Sequence, residues 1–167
     1  MKIPKIIHQT WKTENVPWKW KLYQKKVKQL HPDWEYRLWT DKNNMEFVKL
    51  NYPDFFDIFR NFPKNIMRAD VIRYLIMDKI GGLYLDLDYE MIKTFDFKNA
   101  SIVLPLNRSK KFGDNENSLG NCIFASVANH PFWKDVIDYL TKNQIIVSEY
   151  IQVLDATGPG FLTSFRI

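Results

Sequence analysis

Residues 68–90 read Arg68-Ala-Asp-Val-Ile-Arg-Tyr-Leu-Ile-Met-Asp-Lys-Ile-Gly-Gly-Leu-Tyr-Leu-Asp-Leu-Asp-Tyr-Glu90. The first part of this stretch belongs to a run, Ile66 to Lys79, with no internal Gly or Pro and apolar residues nearly all round, which predicts a buried helix. Gly81 and Gly82 follow, and a left-handed cap forms easily there. Asp70 and Arg73 stand three apart on that helix and so share one face, where burial is costly unless each charge is partnered. Two arrangements satisfy them: a pair with each other, or a polar cluster facing the acids beyond the Gly turn. Leu83 to Leu87 reads as a short strand ending in Asp86 and Asp88, whose spacing in extended backbone puts both carboxylates on one face at the strand's carboxyl edge. Ligands bind at that edge in open α/β sheets. Hard carboxylate oxygens suit Mg²⁺ or Mn²⁺, ions that complete their shells with water and substrate phosphates, so the pair points to a diphosphate ligand. Two acids two apart are common on solvated turns; the Gly pair and the charged buried helix before them make this combination rare.

Working outward, the pattern alternates. Lys5 to Gln9 is a short apolar run, Trp18 to His31 a basic helix, and Glu35 to Trp39 a strand that alternates Tyr36 and Leu38 with Arg37. Asp41 is the expected N-cap of a helix over Lys42 to Leu50, and Tyr52 to Phe62 is an aromatic segment bounded by Pro53 and Pro63. Downstream, Ser101 to Leu106 and Cys122 to Val127 read as strands and Pro131 to Lys142 as a helix. Arg108 to Gly120, rich in Asn, Ser, Lys and Gly, reads as a mobile loop able to close over a ligand. Strands alternating with helices predict an α/β layered fold with a mostly parallel central sheet.

The chain has 167 residues, a length at which one core buries most of the apolar surface, so a single domain is expected. Hydrophobic residues at 46% exclude a disordered chain. Cys122 is the only cysteine, which excludes an internal disulfide and a multi-cysteine metal site and suggests a buried thiol. His8, His31 and His130 lack metal-ligand spacing and read as structural or exposed. The Gly-Pro-Gly at 158–160 lacks the ending of a phosphate loop and reads as a turn that starts a helix. The opening Met1 to Thr10 has no signal-peptide pattern, and the longest apolar region, Val71 to Leu87, is broken by charges; the expected location is cytoplasmic.

The net charge of +5 is concentrated at the front. Between Trp18 and His31 lie five lysines and no acid, while Trp20, Tyr23, Val27 and Leu30 form one helical stripe. A solvated lysine face on a core-packed helix accounts for this; peripheral contact with an anionic membrane surface or a polyanionic acceptor is the alternative.

With those residues in view, the central block resembles the glycosyltransferases with a DXD sugar-binding region. That group includes yeast initiating mannosyltransferases, bacterial capsule and lipopolysaccharide transferases and, distantly, the glucosylating domain of large clostridial toxins. The opening Ile3 to Trp11 is similar to that family's first strand, and Thr157-Gly-Pro-Gly160 is a third match, so the resemblance spans nearly the whole chain.

The resemblance implies a GT-A-type, Rossmann-like fold, a nucleotide-sugar donor (UDP- or GDP-sugar), a Mn²⁺ or Mg²⁺ ion, a glycan or glycolipid acceptor and transfer with retention of configuration; nucleic acid is not an implied partner. Carried over by motif, Trp11 stacks on the nucleobase with Thr10 beside it. Asp70 and Arg73 bind the donor sugar, and Tyr84 lies near the nucleoside. Asp86 contacts ribose or sugar and supports the metal, Asp88 is the firmer metal ligand, and Asn121 reaches the sugar. Family members continue past the Gly-Pro-Gly region into a segment that completes the diphosphate site, and this chain is expected to lack it. Two other readings compete: a metal-dependent phosphohydrolase or nuclease using Asp86, Asp88 and Glu90, and a sugar-nucleotide-binding module without turnover.

Overall fold

The computed structural model describes residues 2–107, 118–143, 145 and 151–165. Strand β1 (Ile6–Thr10) lies parallel to β2 (Glu35–Trp39), with Ile6 opposite Glu35 and Thr10 opposite Trp39. Parallel neighbours need a crossover, and helix α1 (Trp18–Leu30) supplies it. Helices α2 (Asp41–Asn51), α3 (Pro53–Arg60) and α4 (Asn65–Lys79) follow. The N-cap of α2 is Thr40 rather than Asp41: its side chain and that of Asn43 form a reciprocal capping box, which satisfies two otherwise orphaned amides.

Gly81 and Gly82 turn the chain from α4 into β3 (Gly82–Leu85), which pairs in parallel with the other side of β1. Both glycines are obligatory. Gly81 has φ 71° and a Cβ there would sit 2.6 Å from the Ala128 nitrogen; Gly82 has φ 107° and a Cβ 2.6 Å from the Ile6 oxygen.

Strands β4 (Ile102–Val103), β5 (Leu106–Asn107), β6 (Ser118–Leu119) and β7 (Ile123–Ser126) complete the β structure, followed by α5 (Pro131–Lys142), α6 (Ile151–Ala156) and α7 (Pro159–Thr163). The main sheet runs β2-β1-β3-β7-β4, and β5 and β6 form a separate ribbon. Strand β7 runs against its neighbours β3 and β4, so four of the five strands share one direction. The expected strand over Ser101–Leu106 is thus two short strands. Most of the loop expected over Arg108–Gly120, residues 108–117, lies outside the described residues, and Ser118–Leu119 is strand rather than loop. Cys122 is exposed, contrary to the expected buried thiol, because it stands just outside β7.

Side chains alternate across the sheet, as strand geometry requires. Ile7, Leu83, Leu85 and Ala125 face α1 and pack with Val27 and Met91. Tyr84 and Phe124 face the opposite layer, where α4 lies buried among Phe55, Phe59, Trp133 and Phe161. Helix α4 is therefore buried from Asp70 to Met77, as its pattern predicts, while its first turn reaches the surface. The Gly-Pro-Gly turn does start a helix: Gly158 is the N-cap of α7 with Pro159 in its first turn.

Candidate active site

Chain order reverses at β1, whose sequence neighbour β2 lies on one side and β3 on the other. The carboxyl ends of the parallel strands β1 and β3 therefore open onto a crevice, the place where α/β sheets take ligands. Thr10 and Trp11 leave the end of β1, and Asp86 leaves the end of β3. A cleft of about 530 Å³ lies there, lined by Thr10, Trp11, Arg73, Asp86 and Asp88. Five of the eight residues singled out from the sequence thus meet at one cavity. Asp70, Tyr84 and Asn121 stand behind its wall, where they hold the others.

The strand stops at Leu85, earlier than the expected Leu87, so Asp86 and Asp88 do not share a strand face. They occupy a turn closed by the Tyr89 amide donating to the Asp86 carbonyl at 3.1 Å. That turn separates their environments. Asp86 is 30% exposed and engaged by protein groups, whereas Asp88 is exposed and makes no ion pair among the described residues.

Arg73 is the hub. Its side chain is 6% exposed; Nη1 lies 3.1 Å from Asp86 Oδ1 and Nη2 3.4 Å from Asp70 Oδ1. Nε donates to the Ala69 carbonyl at 3.0 Å and Nη1 to the Asn121 carbonyl at 2.6 Å, while the guanidinium carbon lies 4.8 Å from the centre of the Tyr84 ring. The two arrangements left open for Asp70 and Arg73 are both realised, because the pair belongs to a larger cluster. Asp70 also accepts from Asn121 Nδ2 at 2.9 Å and Thr157 Oγ1 at 3.2 Å. Burial still outweighs these favourable partners and pushes its carboxyl up to about 6. The Tyr84 hydroxyl donates to Asp86 Oδ1 at 2.6 Å and lies 3.1 Å from Thr10 Oγ1. Burial holds the Tyr84 pKa well above its ordinary value, which keeps that proton in place.

Some supports were not legible in the sequence. Gln24 donates to the Tyr36 hydroxyl, which donates to Gln9 Oε1, each at 2.7 Å; Gln9 Nε2 then donates to the Asp86 carbonyl at 3.3 Å. Three early elements thereby fix the acidic turn. Tyr74 donates to the Thr157 carbonyl at 2.6 Å, so α4 holds both the hydroxyl and the backbone of Thr157. The Thr157-Gly-Pro-Gly match hinted at this residue, but its target lay 87 positions away. Lys12, Trp20, Asn44 and Asn65 also line the cleft. Trp20 meets Trp11 edge-on with ring centres 4.7 Å apart, so one member of the expected core stripe of α1 also orients a cleft residue.

His8 is structural. The Trp39 indole N–H donates to its Nδ1 at 3.0 Å, which leaves Nε2 as the protonated nitrogen, donating to the Gly81 carbonyl at 2.9 Å. Burial lowers its pKa to about 4 and keeps the ring neutral.

Glu90 is paired with Lys26 of α1 at 2.9 Å, and among the described residues no group of three or more His, Cys, Asp or Glu side chains could hold a metal. The three-acid arrangement that a two-metal phosphohydrolase would use is therefore not assembled.

A family model described as glycosyltransferase sugar-binding region containing DXD motif matches residues 17–112, more than half of the chain and all of Asp70, Arg73, Tyr84, Asp86 and Asp88. The chain belongs to that family. The chain is 43% identical over 164 residues to inositol phosphoceramide mannosyltransferase 3 of Schizosaccharomyces pombe, a match covering 96% of the chain and 44% of that protein. It is 40% identical over 164 residues to mannosyl phosphorylinositol ceramide synthase SUR1 of Saccharomyces cerevisiae, covering 96% of the chain and 41% of the relative. The chain thus spans less than half the length of these two relatives. Initiation-specific alpha-1,6-mannosyltransferase of Saccharomyces cerevisiae is 34% identical over 102 residues, covering 56% of the chain and 21% of that protein. Among solved structures, the PaToxG glycosyltransferase superposes with a TM-score of 0.66 over 98% of this chain and 68% of that one, at 20% identity, and so shares its fold.

Proposed function

We propose that this chain is the donor-binding part of a divalent-metal-dependent, retaining glycosyltransferase that moves a sugar, mannose by analogy with its relatives' names, from a UDP- or GDP-sugar to an inositol-phosphate-bearing glycolipid. The observation that carries this is the meeting of Arg73 and Asp86, 3.1 Å apart, with the exposed Asp88 on one cleft at the carboxyl ends of β1 and β3. The glycolipid acceptor rests on relatives named as inositol phosphoceramide mannosyltransferases. A bacterial capsule or lipopolysaccharide acceptor has no such support.

The acids fit a hard cation that keeps substrate oxygens in its shell. Asp88 has free carboxylate oxygens among the described residues, and Asp86 has one oxygen engaged by Arg73 and Tyr84, so these two acids offer few ligands and leave the rest to diphosphate and water. Mn²⁺ or Mg²⁺ bound there would neutralise charge gathering on the departing diphosphate. The chain's own groups do the remainder. Arg73, charged and held on four sides, presents fixed positive charge to the diphosphate or sugar without reorganising. Asp70 fixes its orientation from behind. Trp11, braced by Trp20, offers a ring on which a nucleobase can stack. Retention with proton transfer to the leaving phosphate needs no protein base, and the exposed carboxylate of Asp88 then serves the ion alone.

The test is to measure nucleoside diphosphate release, and protection against thermal unfolding, with Mn²⁺ and a panel of UDP- and GDP-sugars. Protection by a nucleoside diphosphate only with metal present, lost in Asp88→Asn, is the expected result. Equal protection of wild type and Asp88→Asn in Mn²⁺, or protection by nucleic acid in place of nucleotides, overturns the reading. Turnover on adding inositol phosphoceramide identifies the acceptor.

A further inference from the structure

Helix α1 has two different faces. At 100° per residue, Trp20, Tyr23 and Val27 fall on the side turned to the sheet and the cleft, where Val27 is fully buried. On the opposite side Trp18, Leu22, Lys25 and Gln29 lie in one stripe, with Lys21 and Lys28 along one edge of it. Trp18 is 76% exposed and Leu22 56% exposed. A solvated lysine face accounts for the lysines, but it gives no reason to place a tryptophan and a leucine one turn apart on the outward ridge, where each exposes apolar area to water. A shallow groove of about 390 Å³ lies on the same helix between Lys21, Lys25 and Lys28, with Gln24 and Gln29 as its polar edges. Lys28 is held in place by the Tyr36 ring, 4.0 Å from its ammonium.

We infer that the outward face of α1 docks on a membrane leaflet carrying anionic lipid, with Trp18 and Leu22 entering the interface and Lys21, Lys25 and Lys28 binding lipid phosphates. Two independent features select this occupant. Tryptophan favours the headgroup region because its ring is apolar and its N–H polar, and a helix with an apolar ridge between lysines lies flat in that layer. The charge is complementary, since no acid stands between Trp18 and His31 and each lysine near an anionic leaflet adds attraction. A polyanion in solution would satisfy the lysines and leave Trp18 and Leu22 without a role. No helix among the described residues is long and apolar enough to cross a membrane.

The placement has a consequence for the site. Trp20, on the inner side of the same helix, lines the cleft, and Lys26 binds Glu90 two residues beyond Asp88. A leaflet against α1 therefore lies beside the donor cleft, and an acceptor whose headgroup projects from that leaflet reaches it without leaving the lipid. Docking itself does not depend on the transferase reading, so the two can fail separately.

The experiment is flotation of the full chain with vesicles of phosphatidylcholine alone and of phosphatidylcholine with phosphatidylinositol. Binding to the second and not the first is expected. Lys21→Gln with Lys25→Gln should weaken it at least about tenfold. Trp18→Ala with Leu22→Ser should also weaken it, and brominated lipid tails should quench less fluorescence in Trp18→Phe than in wild type. Both pairs lie outside the cleft, so metal-dependent protection by nucleoside diphosphate should be unchanged, which reports an intact fold. Absence of binding to anionic vesicles overturns the inference, as does equal binding to neutral ones. So does loss of binding in the lysine pair alone with an unaltered Trp18→Ala and Leu22→Ser pair, which would mark a polyanion surface; heparin binding would then follow the same pattern.

Discussion

Arg73 Nη1 stands 3.1 Å from Asp86 Oδ1, and this contact joins the middle of a buried helix to the end of the central strand. A single guanidinium there answers two carboxylates, Asp70 behind it and Asp86 before it. Removing it leaves Asp70 buried without its cation and facing the Asp86 carboxylate at the cleft wall. Arg73→Ala should therefore destabilise the fold by about 3–5 kcal/mol, the range for breaking a buried ion pair from one side. Arg73→Lys should lose less stability but fail to span both acids. Urea unfolding of both variants checks this. Adding Asp70→Asn to Arg73→Ala should recover part of the loss, since the coupling lies between adjacent groups.

Asp70 and His8 should oppose each other in acid. The carboxyl of Asp70, raised to about 6 by burial, binds its proton more readily folded than unfolded, so its contribution to stability is greatest below about pH 4 and is lost as pH rises through 6. His8, lowered to about 4 by burial, does the reverse: its contribution is present above its ordinary pKa of 6.5 and is lost as pH falls through 4. Between pH 6.5 and 4 the two slopes partly cancel. Asp70→Asn removes one of them, and its stability should fall more steeply with acid over that window than the wild type's. Unfolding free energies at several pH values measure this; parallel curves would contradict the assignment.

Gly82 should tolerate no side chain. Its φ of 107° and the Ile6 oxygen 2.6 Å from a would-be Cβ oppose Gly82→Ala both by strain and by collision with the β1 backbone. A loss exceeding about 1–3 kcal/mol is expected. Gly120→Ala, where the nearest atom is a Pro105 ring carbon at 3.3 Å, should cost less than about 1 kcal/mol and serves as the control in denaturant unfolding.

Thr157 ties α4 to the last helices through its hydroxyl on Asp70 and its carbonyl on Tyr74. Thr157→Val keeps the shape and removes the hydroxyl, leaving a charged acceptor short of one donor. A cost of about 1.5–3 kcal/mol follows. Hydrogen exchange should accelerate at the Leu162 amide, which bonds Gly158 at 3.2 Å in α7, more than at amides of β1.

The sequence alone determined the layered α/β fold, the buried helix with its glycine stop, the crossover from β1 through α1 to β2, and the facing of Asp70 and Arg73 toward the acids beyond the glycine turn. These follow from local causes: periodicity, the conformational freedom of glycine, and the cost of an unpartnered charge in an apolar helix. The inward stripe of α1 was equally legible. Tertiary structure decided the division of labour. That Asp86 and Asp88 part company depends on β3 ending at Leu85, where its pairing with Ile123 of β7 stops and the chain enters the turn closed by the Tyr89 amide. That Asp70, Tyr84 and Asn121 stand behind the cleft, with Thr157 bonded to Asp70, depends on contacts between residues tens of positions apart. Spacing carries no information about such contacts, because they form only when separate elements are packed together.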